Sequence, residues 1–227
     1  MGRANPNILL VAGDDDKRVI PYLMDEYVVW GNRPDERVVE VRAHGGVDDL
    51  LDPGNIQVEA MVPGREALGI VVDADDELDS RWQCVRNGCL SLAADFPEEL
   101  PLEGLIYEND QGLRIGVWIM PDNRSRGMLE TFLNQLVAPD DSALWDFVRE
   151  SCTRSRDHGS PYREPHRDKA DIHTFLAWLD PPGRQLHRRF SPGRWTDAFR
   201  WASSSRGGSS SSIGSRRGRS RCRESLF

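Results

Sequence analysis

Two short, entirely apolar runs limit most strongly what this chain can fold into. Residues 8–11 and 68–72 contain only aliphatic residues and one glycine, and each run is followed by a cluster of aspartates. A strand without polar alternation is buried on both faces, as in a parallel sheet that helices cover on both sides. Strand patterns alternate with helical patterns along the chain, so the sequence predicts an α/β fold with a mainly parallel sheet flanked by helices.

The other elements are predicted from periodicity and turn signals. Alternating valines predict a strand in residues 36–43, and the turn at Gly112 predicts a hairpin of residues 105–107 and 114–120. Asp14 is expected to cap the first helix. Apolar residues at helical spacing predict six further helices, in residues 47–51, 56–61, 80–93, 127–137, 144–152 and 169–179.

The composition divides the chain into three parts. We predict one α/β domain in residues 5–183, a poorly defined extension in 184–202 and a disordered tail in 203–227. The tail holds ten serines, six arginines and four glycines among its 25 residues. Such a segment buries too little apolar surface to offset about 1–2 kcal/mol of backbone entropy per residue.

The net charge of −8 joins an acidic part to a basic part. Residues 1–150 carry 30 acidic and 13 basic side chains, whereas residues 151–227 carry 7 and 16. The arginine-rich tail has two interpretations: an arm that binds phosphate backbones, or the product of a frameshift downstream of Leu186 in a GC-rich gene. The acidic part is a poor unaided binder of nucleic acid, so a cation or a partner has to assist.

Several classes of protein are excluded by what the sequence lacks. No apolar run approaches the roughly 20 residues of a membrane helix, and the N-terminus does not resemble a signal peptide. The four cysteines form no CxxC pair, which argues against a zinc site or a disulfide framework. We therefore expect a cytoplasmic protein without a membrane partner.

Carboxylates follow both buried strands directly. Residues 14–16 are three aspartates, and Asp73 and Asp75 come directly after the second run. In open α/β sheets functional residues gather at the carboxyl ends of the strands, and clustered carboxylates repel one another unless a cation neutralises them. Oxygen ligands favour Mg²⁺ or Mn²⁺, so the sequence predicts such a site. The alternative for residues 14–16 is that they only stabilise a helix N-terminus.

These motifs together resemble a known family. Val-Ala-Gly-Asp-Asp-Asp at 11–16 and Leu-Gly-Ile-Val-Val-Asp-Ala-Asp at 68–75 resemble the TOPRIM domain of topoisomerases, primases and OLD-type nucleases. Gly-Val-Trp-Ile-Met-Pro-Asp-Asn at 116–123, Gly-Met-Leu-Glu at 127–130 and the segment around 166–170 resemble an uncharacterised bacterial TOPRIM-like family related to the OLD nucleases. The resemblance covers residues 7–183.

The resemblance implies metal-dependent phosphodiester chemistry on nucleic acid. Asp73 and Asp75 would hold Mg²⁺ or Mn²⁺, with Glu130 and Asp122 nearby, and Lys169 would neutralise charge on the scissile phosphate. Each of the last three residues has a structural alternative. Glu130 would be a solvated helix residue, Asp122 part of a turn, and Lys169 the partner of Asp168 or Asp171 in an ion pair.

One departure from the family pattern affects the expected activity. The TOPRIM glutamate, a general acid/base or metal ligand, would fall at position 12, where this chain has Ala12. Asp14 or Asp15 would have to replace it, and loss of a positioned proton-transfer group costs about 10²–10⁴-fold in rate. The alternative function is therefore a non-catalytic TOPRIM-like binding or regulatory module. The sequence has no G-x-x-x-x-G-K-[ST] loop, so coupling to ATP would need a separate partner protein.

Overall fold

The computed structural model describes residues 4–24, 37–137, 141–183 and 186. These residues form one five-stranded sheet in the order β2-β1-β3-β5-β4. Four strands run parallel, and β4 pairs antiparallel with β5. The strand bounds are β1 Asn7–Val11, β2 Glu40–Ala43, β3 Ala67–Asp73, β4 Leu105–Glu108 and β5 Arg114–Met120. The predicted α/β class, the mainly parallel sheet and the hairpin are confirmed.

The described residues also form seven α-helices, which cover both faces of the sheet. Their bounds are α1 Asp14–Leu23, α2 Val47–Leu51, α3 Pro53–Ala60, α4 Leu78–Cys89, α5 Leu129–Asn134, α6 Ser142–Ser155 and α7 Arg167–Ala177. No helix in this part of the chain is long and apolar enough to span a lipid bilayer.

Side chains along β1 point alternately to the two faces of the sheet, and each face has its own hydrophobic core. Ile8 and Leu10 pack in one cluster with residues of α2, α3 and α4, whereas Leu9 and Val11 pack in another with Ile20 of α1. A third cluster joins α1, α5, α6 and α7 on the same face as α1. Because both faces of the central strands are covered, the apolar runs need no polar positions.

Most helix ends lie a few residues from their predicted positions, and α2 matches its prediction at both ends. The first helix has Gly13 as its N-cap, and Asp14 is its first helical residue. The third begins at Pro53, earlier than predicted, because Asp52 accepts hydrogen bonds from Gly54 N at 2.9 Å and Asn55 N at 3.1 Å. The α5 helix is shorter than the predicted 127–137.

The chain order places a switch point at the centre of the sheet. From β1 the chain crosses through α1 to β2 on one side, and β3 then pairs with β1 on the other side. Ligands in open α/β sheets bind at the carboxyl ends of strands beside such a point. The predicted tail and, apart from Leu186, the predicted extension lie outside the described residues.

Candidate functional site

Three carboxylates and one lysine come together at the switch point; we call these four residues the acidic cluster. Asp73 is the last residue of β3, and Asp16 lies in the first turn of α1, directly after β1. Glu130 lies in the first turn of α5, and Lys169 in the first turns of α7. The cluster therefore depends on four elements that are far apart in sequence.

Asp73 is held in place by a hydrogen bond, and its surroundings disfavour its ionised form. Its Oδ1 accepts a hydrogen bond of 2.9 Å from the backbone N–H of Leu129, the first residue of α5. Burial, followed by the charges of Asp16, Glu130 and Asp75, raises the pKa of Asp73 to about 8, although the Leu129 N–H acts in the opposite direction. Its ionised form is therefore disfavoured unless a positive charge is added.

The surroundings of Asp16 also disfavour its ionised form. Burial raises the pKa of Asp16 to about 6, although its Oδ2 accepts a hydrogen bond of 2.9 Å from Gly13 N. The charges of Glu130 and Asp15 raise this pKa further, while Lys169 lowers it. Among the described residues, neither Asp16 nor Asp73 has an ion pair.

Asp16 is the residue of the cluster that the sequence prediction did not single out. It was predicted only as one member of the aspartate triplet. The signal that distinguishes it is helical spacing, because Asp16, Val19, Ile20 and Leu23 share the face of α1 that packs on the sheet. Asp14 and Asp15 lie outside that face, at 3.8 and 4.0 Å from the exposed guanidinium of Arg18.

Glu130 and Lys169 form the ion pair of the cluster. Glu130 is 4% exposed, so its alternative as a solvated helix residue is wrong. Lys169 Nζ lies 3.2 Å from Glu130 Oε1, and the alternative partners Asp168 and Asp171 bond to other side chains. Burial lowers the pKa of Lys169, but the adjacent Glu130 carboxylate outweighs this effect and the net shift is upward. Lys169 therefore stays charged.

Two of the predicted ligands are bonded to groups outside the cluster. The Asp75 carboxylate lies 2.6 Å from Arg81 Nη2, on a backbone with a positive φ of 54°. Asp122 accepts hydrogen bonds from Arg124 N at 3.1 Å and from Ser125 N at 2.8 Å, as its alternative as a turn residue predicts. Metal binding by these two residues stays a prediction.

The donor chemistry of the acidic cluster is suited to a hard divalent cation. Among residues 4–24, 37–137, 141–183 and 186, no three His, Cys, Asp or Glu side chains are arranged to hold a metal ion. However, Mg²⁺ is commonly bound through one or two carboxylates, with water and substrate phosphate completing its six ligands. Asp16 and Asp73 supply two carboxylates whose raised pKa values a cation would reverse.

Ala12 follows β1 at the place that the TOPRIM pattern assigns to a glutamate. It is half-buried and packs against the core cluster that includes Ile8 and Leu10. The end of β1 therefore contributes no carboxylate itself, and the next member of the acidic cluster along the chain is the half-buried Asp16, in the first turn of α1.

Family membership follows from a match over most of the chain. Residues 6–204 match a family described as "Protein of unknown function (DUF3226)". The chain belongs to the DUF3226 family. The DUF3226 match continues past residue 183 and ends near the start of the Ser/Arg/Gly-rich segment. No curated protein and no solved structure matches the chain. The predicted relation to TOPRIM and OLD proteins stays a prediction.

Proposed function

We propose that this chain binds Mg²⁺ or Mn²⁺ at the acidic cluster and uses it in phosphodiester chemistry on nucleic acid. The observation that supports this most is a charge deficit at the switch point, where the carboxylates outnumber the positively charged side chains. Asp16 and Asp73 are desolvated carboxylates without an ion pair among the described residues, while the one lysine beside them is bonded to Glu130. Burying such groups without compensation is costly, and a bound cation removes the cost.

The residues of the cluster have distinct roles in this proposal. Asp16 and Asp73 hold the cation, and Glu130 adds negative charge beside them. The Leu129 N–H fixes the orientation of Asp73. The bound cation neutralises charge on the phosphate oxygens at the scissile bond.

In this proposal Lys169 contacts the phosphate and Asp15 acts as the general base. The Lys169 side chain is half exposed although its ammonium contacts Glu130, so it can also reach a phosphate oxygen from the solvent side. Asp15 is exposed beside the cluster and contributes to the raised pKa of Lys169. It is the carboxylate with access to a water molecule, as a general base requires.

The proposal is tested by cation-dependent stability together with cleavage. We expect Mg²⁺ or Mn²⁺ to raise the Tm of the wild-type protein and Asp73→Asn to abolish that shift. Asp14→Asn is the matched control, because Asp14 belongs to the same aspartate triplet but its side chain is 70% exposed. Cleavage of single-stranded and plasmid DNA with each metal follows the chemistry. A wild-type Tm that no divalent cation changes contradicts the proposal.

A non-catalytic binding or regulatory module is the second candidate, favoured by Ala12. In that case the wild type shows the metal-dependent Tm shift but cleaves neither substrate. Ala12→Glu then restores the carboxylate at the end of β1, and we expect cleavage to appear in this variant only. Wild-type cleavage that disappears in Asp73→Asn excludes this second candidate.

A further inference from the structure

A groove of about 270 Å³ opens beside the acidic cluster. It lies between the loop after β3, the loop 121–128, the start of α5 and the start of α7. Its walls include Asp75, Thr131 and Asp168, each of which lies one or two residues along the chain from a member of the cluster. None of the four members of the acidic cluster lines the groove, so the groove neighbours the proposed cation site and does not contain it.

The backbone and side chains hold the groove in shape. Asp75 and Gly127 exchange two backbone hydrogen bonds of 2.8 Å, which join the loop after β3 to the loop 121–128. Gly127 has a φ of +139°, and a Cβ at this position would lie 2.7 Å from Thr131 Oγ1. Thr131 Oγ1 in turn donates a hydrogen bond of 2.6 Å to Asp168 Oδ2, which ties α5 to α7.

The charged side chains of the walls are mostly compensated. Asp75 pairs with Arg81, Glu164 with Arg156, and Arg167 with Asp171, so these groups would bind a ligand only if a pair were broken. Two charged residues of the groove walls, Asp76 and Arg126, make no side-chain hydrogen bond or ion pair with the described residues. Both side chains are exposed.

We propose that this groove holds the nucleotide next to the scissile phosphate, with Arg126 binding its phosphate group. The inference rests on the proposed function of the acidic cluster. A guanidinium without a partner is suited to bidentate contact with phosphate, and the Asp76 carboxylate accepts a hydrogen bond from a hydroxyl or amino group of the nucleoside. The volume is near the lower end of the range for small-molecule pockets, about 300–1,000 Å³. At about 270 Å³ the groove lies just below that range, so it has room for at most one nucleotide and none for a base pair.

The experiment measures binding of a fluorescein-labelled single-stranded oligonucleotide by anisotropy, in Mg²⁺, at several salt concentrations. We expect Arg126→Ala to weaken binding about tenfold, Arg126→Glu to weaken it further, and the salt slope to fall by about 1. Arg124→Ala is the matched control, because Arg124 is exposed on the same loop but does not line the groove. It should change affinity by less than about twofold. A duplex of the same sequence should bind more weakly to the wild type.

The Mg²⁺-dependent Tm shift separates this inference from the proposed function. Arg126→Ala should retain the wild-type shift, since Arg126 is not part of the acidic cluster. If the shift is present but Arg126→Ala binds the oligonucleotide as tightly as Arg124→Ala does, the groove assignment is wrong and the cation site stands. If the wild type binds a duplex as well as a single strand, or binds no oligonucleotide, the groove assignment is also wrong. Loss of the shift in the wild type overturns the cation site itself.

Discussion

Two carboxylate sites in the described residues, one around Glu59 and one at the acidic cluster, are compensated in opposite ways. In the first, Glu59 of α3 is 7% exposed and is surrounded by basic groups. Arg42 of β2 donates a hydrogen bond to it, Arg65 Nη2 lies 3.5 Å from it, and His44 Nε2 lies 3.9 Å from it. In the acidic cluster, a single lysine faces several carboxylates.

This difference separates a structural charge cluster from a candidate binding site. Around Glu59 the chain supplies the opposite charges itself, and the network joins β2, α3 and the segment before β3. At the acidic cluster the chain brings carboxylates together without supplying enough cations. Folded proteins keep such a deficit mainly where an external cation or a proton completes the site.

The largest effect on stability is expected when the Glu59 carboxylate is removed. Glu59→Ala leaves the almost fully buried Arg65 guanidinium without its counter-ion, so we expect the free energy of unfolding to fall by about 3–5 kcal/mol. Urea denaturation measures this change. Glu66→Ala is the control, because Glu66 is exposed directly before β3 begins, and it should cost less than about 0.5 kcal/mol. Equal effects of the two variants would show that Glu59 is not part of a stabilising network.

Replacement of Asp73 is expected to raise the stability of the folded state, in contrast to replacement of Glu59. Because its pKa is raised to about 8 from 3.8, Asp73 stabilises the folded state below pH 3.8, and this contribution is lost as the pH rises towards 8. In excess EDTA, Asp73→Asn should therefore gain stability relative to the wild type over this pH interval. The gain at pH 8 should be on the order of 10 °C in Tm. A difference in Tm that stays constant between pH 4 and pH 8 contradicts the assigned charge deficit.

The smallest effect is expected at the ion pair of the acidic cluster. Lys169→Met removes a half-exposed partner worth about 0–1 kcal/mol, so the Tm in EDTA should fall by about 3 °C or less. Since Glu130 is then left without its cation, Mg²⁺ should raise the Tm by more than in the wild type. Lys17→Met, at the other lysine of the chain, is the control and should leave both values unchanged. An unchanged Mg²⁺ response in Lys169→Met would show that Lys169 does not compete with the cation.

The strands were predictable because each carries a local signal. Residues 8–11 and 68–72 are apolar throughout since β1 and β3 are covered on both faces, and the predicted hairpin is β4 and β5. Helix ends were less predictable. Gly13 rather than Asp14 caps α1, since the Asp16 side chain accepts from the Gly13 N–H and makes Gly13 the boundary residue.

The acidic cluster was predictable only in part. Asp73 and Glu130 were expected near one another, and the structure brings them together with Lys169. Asp75 was expected beside them, but its carboxylate pairs with Arg81, and its backbone has a positive φ of 54°. Spacing along the chain gave no information about that conformation.

Local sequence patterns specify the layer structure and the edge of the sheet at which the carboxylates gather. Apolar periodicity specifies strands and helices, and parallel strands place all their carboxyl ends at one edge. Which carboxylates meet, and which of them are neutralised, depends on how the helices pack on the sheet. Asp16 joins Asp73 because α1 turns one face to the sheet, while Glu59 is matched by Arg42 and Arg65 from other elements. Charge compensation depends on distances of a few ångströms between residues far apart in sequence, and no local pattern records those distances.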